Sequence, residues 1–192
     1  MFSIIKIKRN KGFTLTEILL VLVIAAAIVI SAFIIYPKVQ STQKVDVEAK
    51  NISTIIAGVH SMYGGKADFS GLDTKVAVQA RVFPDNMILN NDFSGNTLPV
   101  NSWKGDVSVA VSTGVDWNDN GGFRIKYLKV PNADCVKLVA AVSGDFYQVG
   151  IGTGEVYNVK NGTDGTEMSI KNITDLCSAG PDEYKQINFT GI

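Results

Sequence analysis

From Ile18 to Ile35 the chain runs through eighteen uncharged residues, of which Ser31 alone is polar. As a helix this stretch spans about 27 Å. With Phe13–Glu17 added it reaches roughly 35 Å, enough to cross a hydrocarbon core of about 30 Å. After Pro37 the pattern changes. Val45, Ile52, Ile56, Val59 and Tyr63 recur at three-, four- and seven-residue steps, with Ile55 and Met62 beside them. Lys44, Asp46, Glu48 and Lys50 fill the other positions, which predicts an amphipathic helix. Gly64-Gly65 is its expected stop. One helix from Phe13 to Tyr63 would be apolar all round in its first half and apolar on one side in its second, so the rest of the chain must cover that side.

Beyond residue 64 the period shortens to two. Lys75–Ala80, Asp106–Thr113, Phe123–Val130, Tyr147–Ile151 and Glu155–Val159 each alternate, and Tyr184–Phe189 does so more weakly. Glycine-rich breaks separate them, which predicts strands joined by turns. Residues 132–144 predict a short helix with Asn132 as N-cap and Gly144 as stop. Pro84–Trp103 carries few regular signals and reads as a long surface loop with a helical turn. The sum is an α+β fold, an antiparallel sheet packed on the amphipathic half of a long helix.

Charge gives the first segment a direction. Lys6, Lys8, Arg9 and Lys11 precede it, and no acid comes before Glu17. The cluster predicts a cytoplasmic N-terminus and an exported head. Net charge over all 192 residues is zero; without those four basic residues, 14 basic face 18 acidic side chains, a net of −4. A mildly acidic head offers no electrostatic footprint for nucleic acid. A cleaved secretory signal has a shorter apolar region and a small-residue cleavage site, and neither is present. A plain membrane anchor explains the apolar run but leaves Glu17 as an unexplained cost in hydrocarbon.

Gly12-Phe13-Thr14-Leu15-Thr16-Glu17, with basic residues before it and the apolar run after it, resembles the class III signal of type IV pilins and pseudopilins. The resemblance implies removal of residues 1–12 by an inner-membrane prepilin peptidase, which cuts between Gly12 and Phe13 and N-methylates Phe13. It implies that 13–37 is retained as the membrane helix and filament core, with 38–63 packed on a head of 64–192. Glu17 would be the assembly residue: buried alone its carboxylate is costly, but paired with the Phe13 amine of a subunit it is largely compensated.

Cys135 and Cys177 form a disulfide if the head is exported and stay thiols if it is cytosolic. The resemblance implies the disulfide, bounding a variable surface region, and its width is similar to the type IVb branch of enteric bacteria and conjugative plasmids. The twelve-residue leader and Phe13 at the cut depart from that branch. Asn101-Ser102-Trp103-Lys104-Gly105 resembles the Asn-x-Trp-Gly-Gly lead-in to the first central strand of pilin heads, with Lys104 in place of the first glycine.

The implied function is a structural subunit that polymerises with itself into a filament for adhesion, aggregation or conjugative contact. Its other partners would be the membrane and the inner-membrane assembly machinery, and its destination the cell surface. The alternatives are a minor pilin or type II secretion pseudopilin, and a membrane-anchored extracytoplasmic binding domain. No enzyme is expected, because Ser/His/Asp catalysis needs a histidine and the lone candidate, His60 on a helix, makes that reading poor. No cofactor is expected. Asp116, Asn118 and Asn120 place oxygens at alternating positions, as a calcium loop does. The twelfth position is Tyr127 instead of a bidentate glutamate, so a polar turn is the preferred reading there.

Overall fold

The computed structural model describes residues 13–112, 120–152, 156–162, 165 and 168–192. The chain divides into two units, residues 1–40 and 41–192. Helix α1, Leu15–Tyr63, supplies the described part of the first unit and continues into the second. It is assigned as helix through Pro37 and ends at Tyr63, just before Gly64-Gly65.

In the second unit α1 buries Val45, Glu48, Ile52, Ile55, Val59 and Tyr63. Their spacing of three and four residues is the stripe of a helix laid on a core. Glu48, read from sequence as part of the charged face, therefore occupies a core position. The seven-residue step from Val45 to Ile52 skips one turn of the stripe, and Glu48 fills it.

Five antiparallel strands make one sheet: β1 Val107–Ser112, β2 Gly122–Pro131, β3 Gln148–Gly152, β4 Val156–Asn161 and β5 Tyr184–Gly191, in the order β1-β2-β5-β3-β4. Register explains the core. Val109, Ile125, Phe189 and Val149 stand opposite one another across four strands, as do Val107, Tyr127, Ile187 and Ile151. All eight are buried. The alternating rows carry polar side chains on three of their four strands: Arg124, Thr190 and Gln148 beside Ala110, and Ser108, Lys126 and Asn188 beside Gly150. Period-2 alternation thus sorts the sheet into an apolar and a polar face.

The β1 edge is covered. The Val107 N–H donates to the Pro99 carbonyl (2.8 Å) and the Val111 N–H to Leu72 (3.1 Å). Between them the Val109 N–H donates to Thr74 Oγ1 (3.0 Å), and that hydroxyl donates back to the Val109 carbonyl. These contacts occupy donors that would otherwise invite a foreign strand.

The expected strand at Lys75–Ala80 is instead helix α2, Thr74–Gln79. The Asp73 carboxylate accepts from the Val76 N–H (2.7 Å) and caps it. Ala77 and Val78 are both buried, which adjacent strand residues on a half-exposed sheet cannot achieve. Helix α3, Asn132–Val142, forms where expected, but Pro131 is its N-cap and Asn132 its first residue. Asn132 turns its amide to the Asp182 carbonyl (2.9 Å). The helix gives way at Ser143, and Gly144 lies within a following 3-10 turn. Helix α4, Ile170–Ser178, forms in a stretch where the sequence pattern predicts no element. Residues 84–103 are more than a surface loop: they hold two 3-10 turns, Asp85–Met87 and Leu89–Asn91, and bury Met87, Ile88 and Asn101.

The Asn101–Gly105 turn has a backbone that its sequence strains. Lys104 lies at φ 64°, where a side chain costs about 1–2 kcal/mol. A Cβ on Gly105 would sit 1.8 Å from the Leu128 carbonyl oxygen. Lys104→Gly should raise head stability by about 0.5–1 kcal/mol, the strain relief less the added unfolded-state entropy. Gly105→Ala should lower it by more than about 4 kcal/mol. Denaturant titration of both variants checks the opposite signs.

Candidate functional site

In the first unit, Phe13 to Tyr36 expose large apolar side chains around the helix, with Phe13 itself 82% exposed. Mean hydropathy reaches 3.3 over an eighteen-residue window, which passes the length and composition test for a membrane span. Glu17 is the only charged residue between 13 and 37. Its Oε2 accepts from the Thr14 N–H (2.9 Å) and Thr14 Oγ1 (3.0 Å), and the Glu17 N–H donates to Thr14 Oγ1 (3.3 Å). This reciprocal arrangement is a capping box. It holds the carboxylate against the helix start, one peptide away from Phe13. Gly12 lies outside the described residues.

The second unit contains two inward-facing carboxylates that one turn brings together. Glu48 Oε1 accepts from the Ser102 N–H (2.8 Å) and Ser102 Oγ (2.5 Å), and Glu48 Oε2 accepts from the Tyr127 hydroxyl (3.1 Å). Asp134, at the start of α3, accepts from Ser41 Oγ and, through Oδ2, from Trp103 Nε1 (3.0 Å). Both carboxylates are at least nine-tenths buried.

The turn that reaches them is built on Asn101. Asn101 Oδ1 accepts from the Trp103 and Gly105 N–H groups, each at 2.9 Å, and its amide donates to the Leu128 carbonyl (2.8 Å). That carbonyl is presented where the β2–β5 register shifts between Tyr127 and Val130 and Lys129 takes φ 56°. The Asn-x-Trp resemblance therefore falls on residues that join α1, α3 and β2.

Cys135 on α3 and Cys177 on α4 are joined by a disulfide, and both are fully buried. Their bond ties the two helices that flank residues 143–169. Of the calcium candidates, Asp116 and Asn118 lie outside the described residues. Asn120 lies at φ 68°, and its backbone carbonyl accepts from the Phe69 N–H (3.0 Å). Tyr127, at the twelfth position, is committed to Glu48. No group of three or more metal-ligating side chains occurs among the described residues. His60 sets its ring edge-on to Phe123 (5.4 Å) and Phe69 (6.1 Å), a packing role.

Comparison with known proteins gives matches to both units. The family model described as "PilS N terminal" matches residues 42–191, and "Prokaryotic N-terminal methylation motif" matches residues 7–33. The "Major structural subunit of bundle-forming pilus" of Escherichia coli O127:H6 is 23% identical over 131 residues, covering 68% of this chain and 64% of that protein. The same protein of Escherichia coli O111:H- matches equally. In fold, the chain is similar to TcpA, a type IV pilin from Vibrio cholerae El Tor biotype. That likeness has a TM-score of 0.57 at 14% identity and covers 78% of this chain and 99% of that one. It is similar also to a type IV b pilin from Salmonella typhi, with a TM-score of 0.56 at 22% identity, covering 75% and 97%.

The Glu48 network has a readable pH signature. Burial, and then the nearby Glu48 charge, push the Tyr127 hydroxyl well above its ordinary value. A proton held more tightly when folded adds stability that is complete below the unfolded tyrosine value of about 10 and is lost as pH rises above it. Tyr127→Phe should lower stability near neutrality by about 1.5–3 kcal/mol, the worth of a hydrogen bond to a charged group. It should also flatten the alkaline decline. Denaturant melts between pH 8 and 11.5 check both.

Proposed function

The chain belongs to the PilS N-terminal family, and from that membership we propose that it is a structural pilin subunit that polymerises with itself into a surface filament. The observation that carries this reading is the first unit: a helix exposing apolar side chains around its surface, with Glu17 at its start as the only charge between residues 13 and 37. Before assembly a bilayer covers that surface; in a filament, the same surface of other subunits does.

Residues 1–12 would be a leader, removed by cleavage between Gly12 and Phe13, and Phe13 would carry the new, methylated amine. The methylation-motif match at 7–33 supports this processing. The Glu17 carboxylate already bonds the amide one residue beyond that amine. In a membrane it reaches the boundary region and stays hydrated. In a water-poor bundle of helices that escape closes, and an ammonium becomes its compensating partner. Glu17 would thereby set the axial register of each incoming subunit. The prepilin peptidase and the inner-membrane assembly machinery are the partners this route requires.

N-terminal mass spectrometry of the mature subunit should find N-methyl-Phe13; retention of Met1 or a cut beyond Pro37 would refute the processing. Gly12→Val should leave uncleaved protein in the membrane. Glu17→Gln keeps the shape and drops the charge, leaving a buried amine uncompensated at about 3–5 kcal/mol per subunit. It should be cleaved and inserted normally yet give few or no filaments by electron microscopy. If Glu17 only complemented the helix dipole, at about 0.3–1 kcal/mol, piliation would stay near normal.

A further inference from the structure

The polar face of the sheet carries a recess that the assembly reading leaves unused. It measures about 230 Å³ and is lined by Arg124, Gln148, Gly150, Asn158, Asn188 and Thr190. These residues come from β2, β5, β3 and β4 and lie in register: Arg124 opposite Thr190 opposite Gln148, and Asn188 opposite Gly150 opposite Asn158. Val149 and Ile151 point into the core, so Gly150 faces the recess without a side chain and forms its notch. Thr190 is only 2% exposed and forms part of the floor of the recess. Among the described residues, the Arg124 guanidinium donates to Ser112 Oγ (3.3 Å), and it carries five N–H donors in a planar fork. Lys126 lies beside it, opposite Asn188. No carboxylate lines the recess among the described residues.

We propose that this recess binds one ring of an acidic saccharide, the sugar carboxylate on Arg124 and the ring hydroxyls on Gln148, Asn158, Asn188 and Thr190. The chemistry selects this class. A guanidinium fork matches a planar carboxylate with two parallel bonds. Side-chain amides offer a donor and an acceptor on one group, as vicinal hydroxyls do. An apolar ligand finds almost no apolar wall, and a nucleic acid finds two cations on a head whose net charge is negative. The volume lies below the roughly 300–1,000 Å³ of sites for drug-sized ligands, which suits a single ring. So open a site should bind weakly, with a Kd of about 1 mM. Repetition along a filament would convert that weakness into avidity.

The test uses the detergent-solubilised full-length chain before assembly, so its outcome is independent of polymerisation. Saturation-transfer NMR with 3′-sialyllactose should show contacts on the acidic ring, and lactose should show none. Arg124→Gln should weaken sialyllactose binding about tenfold or more, the loss of a charge-assisted pair. Gly150→Val should abolish it by filling the notch, and the thermal unfolding curve of that variant separates loss of the notch from loss of the fold. Equal binding of lactose would overturn the proposal. So would wild-type affinity in either variant. Self-association in the ultracentrifuge that depends on Arg124, without saccharide binding, would assign the face to a second copy of this chain and overturn it equally.

Discussion

Everything in the head is organised around burying Glu48. A carboxylate on the core side of α1 is destabilising unless its oxygens are met by donors. Ser102 supplies two and Tyr127 supplies one. Ser102 can do so only because Asn101 folds the turn by holding the Trp103 and Gly105 amides, and Asn101 itself hangs from the Leu128 carbonyl at the β2 bulge. The same turn delivers Trp103 to Asp134, and Asp134 reaches back to Ser41 on α1. Helix, turn, bulge and α3 therefore satisfy one another. Hydrophobic burial alone would let α1 slide or rotate on the sheet; hydrogen bonds to two buried carboxylates fix its register.

That dependence also explains what the sequence showed and what it hid. Strands β1, β2, β3 and β4 were legible from their alternation, and β5 more weakly; the apolar face they share is seen in the Val107–Tyr127–Ile187–Ile151 row. The N-terminal helix was legible because no other element tolerates eighteen uncharged residues in succession. Thr74–Gln79 misled because a six-residue helix and a strand share an apolar pattern at that length, and only the Asp73 cap distinguishes them. Helix α4 was hidden in a polar stretch where Ile173 and Cys177 carry the burial, an i,i+4 pair too sparse to register as a stripe. Glu48 was misplaced because pattern reading assigns every charge to water. Its signal was the missing apolar residue between Val45 and Ile52.

The candidate assembly site divides in the same way. Phe13 and Glu17 stand out in sequence because a carboxylate at the edge of a membrane-length helix requires a reason. The capping box with Thr14 adds what sequence did not show: the carboxylate is already oriented toward the helix start before any partner arrives. The saccharide-binding recess was invisible along the chain, because Arg124, Gln148, Asn158 and Asn188 are ordinary outward residues of four separate strands. Only their register across the sheet brings them together.

The two units answer to different solvents, and this separates their vulnerabilities. The first unit presents apolar side chains that become stable only when something outside the chain covers them. The second closes its own core, with Cys135–Cys177 bonding the two helices that frame its C-terminal region. A head that closes its own core would be oxidised on export while the apolar helix lies in lipid, on the proposed topology. Closing the loop between the cysteines removes denatured-state entropy worth about 4 kcal/mol on the chain-entropy account. That stabilisation acts on each subunit singly, whereas the proposed Glu17–amine pair would act only between chain ends brought together in a dry bundle. On the proposed assembly, folding and polymerisation would thus draw on separate interactions.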